Sequence, residues 1–218
     1  MNICALCGQE IQKGEESAEH VPPKLFFPKA LRPTIQERFW TVPSHQKCNA
    51  AYKLDEEYFY YFLMPLVLNE NSDEMGQILL ADVKERMKNP QTAEMVKWLL
   101  SEMTTESPGG IILPPSIRRF SVNQIRVQNV ALKVAQCVYL KEHGKFLPKF
   151  PCKHCELVER VQDLQPLYRV ILEHLKPVSI AKDVFNYRYI CVDGVHHFGF
   201  MFWAGFMFCL AFDDPEGR

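Results

Sequence analysis

Two short stretches, Cys4-Ala5-Leu6-Cys7-Gly8 and Pro43-Ser44-His45-Gln46-Lys47-Cys48-Asn49, decide how the first quarter of this chain is read. The first has the shape of a metal knuckle, two thiols flanking a tight turn with glycine directly after. A structural zinc takes four ligands in tetrahedral array, so Cys4 and Cys7 need two more. His45 and Cys48 supply them. One turn of helix separates that pair, which puts both side chains on the same side near a helix start. A Cys3His zinc site over Cys4, Cys7, His45 and Cys48 is the expectation. Phe39-Trp40-Thr41-Val42 reads as a short strand before it, and Ser44 as the N-cap of a helix running from about His45 into Tyr61. Cys48, Ala51, Tyr52, Tyr58, Phe59 and Phe62 keep roughly helical spacing on the side that faces a core.

Outward from this segment, composition sets limits. The chain has 218 residues, 47% hydrophobic and 23% charged, which excludes a disordered or low-complexity protein and allows a sizeable core. The formal net charge of -1 excludes bulk attraction of the whole molecule to nucleic acid, so any such contact is local. Charge alternates in blocks: residues 1–53 carry +2, 54–107 carry -7, 108–151 carry +6 and 152–218 carry -2. The eight cysteines are too few for a disulfide scaffold, and no secretory signal opens the chain, so a reducing, cytoplasmic setting is expected. The apolar run Phe198 to Phe212 falls short of the roughly 20 residues of a membrane helix and reads as buried strands. No membrane partner is expected.

Helical patterns cover residues 73–88, 91–104 and about Val122 to Glu142, the last stopped by Gly144 and Pro148. Tyr187 to Val192, the turn pair Asp193-Gly194, and the aromatic runs around Ala204-Gly205 read as antiparallel strands. The fold class that follows is α+β: an N-terminal zinc-stabilised finger over residues 1–68, then 69–218 with a helical middle and a C-terminal antiparallel hairpin or small sheet. The C-terminal half is assigned substrate choice, regulation or a homodimer face.

Between the two halves of the zinc pattern stands Glu19-His20-Val21-Pro22-Pro23-Lys24, and Asn49 follows the last ligand. A carboxylate beside an imidazole suits phosphodiester hydrolysis, in which the carboxylate holds a hard divalent ion and the imidazole takes a proton from water. Neighbours in a flat strand point to opposite faces, so the doublet requires a bend or bulge, which Pro22-Pro23 makes plausible.

The order of Cys4-x-x-Cys7, the acid-His doublet with its prolines, Thr41-Val42-Pro43 and Cys48-Asn49, with Lys53-Leu54-Asp55-Glu56-Glu57-Tyr58, resembles the HNH endonucleases. Within them it is similar to bacterial members with a DHVPPK signature. The resemblance covers about the first quarter of the chain and implies a ββα-metal, or treble-clef, finger. It implies His20 as general base, Glu19 and Asn49 as ligands of a catalytic divalent ion such as Mg2+ or Mn2+, and Lys53 as a basic residue one helical turn later. DNA is the implied partner ahead of RNA, and restriction, mobile-element or phage-defence systems are the settings of similar proteins. The chain departs from the family in three places: His45 replaces a cysteine, Glu19 stands where Asp is commoner, and Phe39-Trp40-Thr41 lacks the middle Asn. The rival readings are a finger that grips nucleic acid without cutting it, and a zinc-stapled interaction protein.

Cys152-Lys153-His154-Cys155 is a second knuckle-like tetrapeptide, read as reduced thiols in a loop, with Cys137, Cys191, His196, His197 and Cys209 as conceivable partners for a second zinc. Cys191 and Cys209 are expected in the core as small hydrophobes, and no role falls to His196-His197. The basic segment Arg118-Arg119, Arg126, Lys133, Lys141, Lys145 and Lys149 is read either as a phosphate-contacting face or as partner to the acidic block 54–107.

Overall fold

The computed structural model describes residues 3–35, 39–70, 74–114, 119, 121–148, 152–158, 163–180, 184–203 and 206–213. Arg118, Lys149 and the Ala204-Gly205 turn lie outside the described residues. The architecture is α+β, with a two-stranded ribbon, a set of helices and a five-stranded antiparallel sheet. The ribbon pairs β1 (Glu16–Val21) with β2 (Trp40–His45) in antiparallel register. Between them run a single turn of 3-10 helix at Lys24–Phe26 and α1 (Arg32–Ile35).

The second strand extends past Val42 to His45, further than the pattern of apolar residues indicates. His45, not Ser44, is the N-cap of the following helix, and it caps without a side-chain hydrogen bond. Ser44 is buried in the strand, where its hydroxyl donates to the Ser17 carbonyl. The single helix expected from His45 to Tyr61 is broken in two, α2 (Gln46–Ala50) and α3 (Lys53–Glu70). The break lets α2 keep His45 and Cys48 beside the N-terminal knuckle while α3 turns to bury Tyr58, Phe59 and Phe62. Ala51, at the break, is exposed. A residue-68 boundary falls inside α3, and one connected core runs from Cys4 to Phe212.

The middle consists of α4 (Glu74–Arg86), α5 (Pro90–Ser101) and α6 (Gln124–His143). Proline at the first position and Asn89 accepting from the Gln91 amide start α5. Asn123 accepts from the Arg126 amide at the start of α6, and Gly144 ends it at φ 66°, in the left-handed region glycine enters without strain. α6 is buried on nearly every side from Val127 to Leu140, the mark of a central helix.

The sheet comprises β3 (Cys152–Val158), β4 (Val178–Ile180), β5 (Phe185–Val192), β6 (Val195–Phe202) and β7 (Phe206–Asp213), in the order β3-β7-β6-β5-β4. Asp193 and Gly194, both at positive φ, make the tight turn between β5 and β6 that the sequence indicates. The alternation of side chains gives the sheet two faces. Tyr187, Phe198, Phe200, Phe208 and Leu210 share the face turned to α3 and α6, where Phe59 stacks on Phe208 and meets Phe202 edge-on. Val158, Met207 and Cys209 lie on the other, under Tyr168 and Ile171 of α7 (Pro166–His174). The Cys152-Lys153-His154-Cys155 tetrapeptide is thus not a loop; pairing with β7 draws this polar segment into an edge strand. Cys209 is buried as expected, whereas Cys191 is exposed near the end of β5.

Among the contacts that tie the N-terminal quarter to this body, two involve the loop between β1 and β2. The Trp203 indole, fully buried, donates to the Phe26 carbonyl at 3.0 Å, and Phe26 stacks on Phe59. Asp82 of α4 accepts from the Lys29 amide and from the Tyr60 hydroxyl, each at 2.9 Å, and also pairs with Arg86.

Candidate metal centre and the two faces of the ribbon

The knuckle at the start of the chain is shaped by its main chain. The Cys4 amide donates to the Gln9 carbonyl and the Gly8 amide to the Cys4 carbonyl, while Ala5 donates to Pro43 at the far strand. Gly8 sits at φ +73°, and a Cβ there would lie 2.7 Å from the Phe146 ring, so glycine is required by conformation and by space. The knuckle therefore lies against the end of β2, where the strand passes into α2.

This places the ligand atoms of Cys4, Cys7, His45 and Cys48 within 4.8 Å of one another. His45 Nδ1 is 3.4 Å from Cys7 Sγ and 3.8 Å from Cys48 Sγ. Ligands about 2.3 Å (sulfur) and 2.0 Å (nitrogen) from a tetrahedral ion stand roughly 3.5–3.8 Å apart, so the spacing fits zinc. The other imidazole nitrogen, Nε2, faces the Glu10 carbonyl at 3.2 Å and the Glu15 carboxylate at 3.7 Å. A proton held there leaves the Nδ1 lone pair directed at the thiols. Burial raises the Cys4 thiol pKa, but the main-chain amides of His45, Leu6 and Cys7 outweigh it and bring the value to about 7. Burial, with Cys7 and Cys4 beside it, pushes Cys48 up to about 12. Three sulfurs crowded together cannot all ionise without a cation among them. The donor set and its spacing suit a structural metal ion such as zinc.

Among the described residues this is the one Cys/His/Asp/Glu group of that kind. Cys152 and Cys155 do not join a second: the Cys152 thiol donates to the His154 carbonyl, and burial raises both thiols. His154 faces Glu156 at 3.2 Å and stacks on Tyr168, and His196 hydrogen-bonds the Tyr189 hydroxyl at 2.7 Å.

Glu19 and His20 lie within β1 in unbroken register, opposite Val42 and Thr41. The bend or bulge expected at the doublet is not there, and the two side chains point to opposite faces. His20 takes the outer face, half-buried, with its ring edge-on to Phe39 at 5.6 Å. Burial lowers its pKa first, and the cations Lys24, Arg32 and Lys133 lower it further. The imidazole is therefore neutral near pH 7 and stands in a positive field. Arg32 is held close by, donating to the Phe27 carbonyl at 3.0 Å and the Lys24 carbonyl at 3.2 Å.

Glu19 takes the inner face with Ser17 and Val21, only 3% exposed. Its carboxylate is 2.9 Å from Lys133 Nζ of α6, and the same ammonium contacts Glu56 of α3. Burial raises the Glu19 pKa to about 7 against the pull of Lys133, because two carboxylates share one ammonium out of water. Burial likewise raises Glu56. Asn49 of α2 donates its amide to the Ser17 hydroxyl at 3.1 Å, so it reaches the same inner face. Lys53 is exposed at the start of α3. The pair Glu19 and Asn49 thus shares a side of the ribbon, but the carboxylate is already neutralised. As arranged, these two residues do not fit a hard divalent ion.

The basic segment divides. Lys133 is 1% exposed and serves no outer face, and Arg126 pairs with Asp55 at 2.9 Å. Partnership with the acidic block holds for these two. The sequence reading gave Glu56 no role and did not separate the buried Lys133 from the rest of the basic segment; the signal was a lone lysine inside Val130-Ala131-Leu132-Lys133-Val134-Ala135, too apolar to be a solvated face. No protein-family model, no curated protein and no solved structure matches the chain.

Proposed function

We propose that this chain is a zinc-stapled endonuclease of the HNH type, a ββα-metal finger on an α+β body, hydrolysing DNA phosphodiester bonds with His20 as general base. The observation that carries the proposal is the half-exposed His20 on the outer face of a ribbon at whose root Cys4, Cys7, His45 and Cys48 converge; burial and the nearby cations favour its unprotonated form. An unprotonated imidazole accepts a proton from water near pH 7, which is what attack on phosphorus requires. Lys24 and Arg32, beside it, supply positive charge where a phosphate gains negative charge. A zinc ion at the tetrad supplies folding energy and no chemistry at phosphorus. No step is assigned to a divalent ion on Glu19 and Asn49, since Lys133 holds that carboxylate.

Purified zinc-loaded chain with Mg2+ or Mn2+ in the buffer is expected to nick supercoiled plasmid, and His20→Ala with equal zinc content to lose on the order of 10²-fold or more. Equal nicking by both proteins removes His20 from its role.

A second reading has its own observation. With Glu19 engaged by Lys133, the finger also suits a module that grips nucleic acid without cutting it. Salt-dependent retention on DNA with no cleavage by either protein favours that module.

A further inference from the structure

Three elements meet at the Lys133 ammonium. From the middle of α6 it reaches Glu19 of β1 at 2.9 Å, contacts Glu56 of α3, and lies 5.1 Å from the centre of the Tyr52 ring. An ammonium is costly to bury, and it is retained here by opposite charge on two sides and an aromatic face on a third. Two carboxylates from separate elements converging on one point form the kind of oxygen pair that holds a hard cation. At that point the chain places a cation of its own.

We infer that Lys133 is the built-in cation of this site: its ammonium, held between Glu19 and Glu56, occupies the place of a divalent ion, so Glu19 binds no metal while Lys133 is there. Removing the ammonium uncovers a two-carboxylate site for a hard cation of the Mn2+ class. In the intact chain Glu19 is a positioning residue that docks the inner face of the ribbon onto α6. The inference concerns the inner face of the ribbon, opposite His20, and is tested by ion binding rather than cleavage, so it and the endonuclease reading fail separately.

The test is Mn2+ titration of the zinc-loaded full chain, followed by the spin-resonance signal of free Mn2+ and by the melting temperature. Mn2+ is a poor competitor for a thiol-rich zinc site, so the tetrad stays out of the readout. Wild type and Glu19→Gln are expected to give superimposable curves. Lys133→Ala is expected to gain a Mn2+ site and an upward shift of melting temperature in Mn2+, and the double variant Lys133→Ala with Glu19→Gln to lose both. A wild-type site that Glu19→Gln abolishes overturns the inference, as does a folded Lys133→Ala that gains none. If Lys133→Ala does not fold, the first pair decides alone: superimposable curves support the inference and a Glu19-dependent site refutes it.

Discussion

Lys133→Met is expected to destabilise the protein by about 3–5 kcal/mol near neutral pH, the cost of leaving buried charge without its partner. Methionine fills most of the volume, so the loss isolates charge from packing. In wild type the ammonium faces Glu19 and Glu56 with almost no water to screen them. Without it, two carboxylates face each other in the same enclosure and must take up protons or separate. The effect has a pH signature. Both carboxyls are already raised by burial in the native chain, Glu19 to about 7. In the variant they rise further above their unfolded values, so the folded state binds protons that the unfolded chain releases. Its stability therefore falls as pH rises above about 4.3, where an unfolded glutamate ionises. The deficit relative to wild type is expected to be smallest near pH 5 and largest near pH 8. Adding Glu19→Gln and Glu56→Gln removes the stranded charges and should recover much of the loss. Urea unfolding of the three proteins across that range measures it; a Lys133→Met as stable as wild type at pH 8 contradicts the buried triad.

Stripping the metal, or replacing Cys48 with serine, is expected to open the N-terminal quarter. Structural zinc contributes about 10–16 kcal/mol to finger peptides that have nothing else to hold them. This arm has other anchors, the Trp203 bond to Phe26 and the Glu19 pair with Lys133. The loss to the whole protein is therefore expected to be a fraction of that, roughly 3–5 kcal/mol, with the remainder appearing as local opening. Hydrogen exchange is expected to speed up at the Cys4 and Gly8 amides and along β1 and β2, while the β6 and β7 core stays protected. Uniform loss of protection through both regions would mean that the finger and the sheet unfold as one unit.

What the sequence makes legible follows from how local the cause is. The four candidate metal ligands were readable because thiols and an imidazole at paired short spacings have one shared chemical use, and the structure brings them together. The Asp193-Gly194 turn was readable from two residues that tolerate positive φ. Other features depended on distant partners. Cys152 to Val158 became a strand because β7 pairs with it, not because its own residues favour extension. The helix expected after His45 is two helices, one beside the Cys/His cluster and one burying the aromatic residues, a division set by partners distant in the sequence. The Glu19-His20 doublet was expected to converge on one spot; a regular strand instead sends one side chain to α6 and the other toward Phe39. Lys133 was grouped with the basic segment around it, read either as a phosphate-contacting face or as partner to the acidic block, because its two partners lie far away along the chain.

The finger reading rests on the ribbon root being closed by one tetrahedral ion at Cys4, Cys7, His45 and Cys48, and cobalt substitution tests that most directly. Chain refolded with Co2+ in place of zinc should bind one ion and show the intense visible bands of tetrahedral Co2+ together with sulfur-to-metal charge transfer, with the bands altered in His45→Cys. Weak octahedral bands, or a spectrum that Cys4→Ser leaves unchanged, would contradict it.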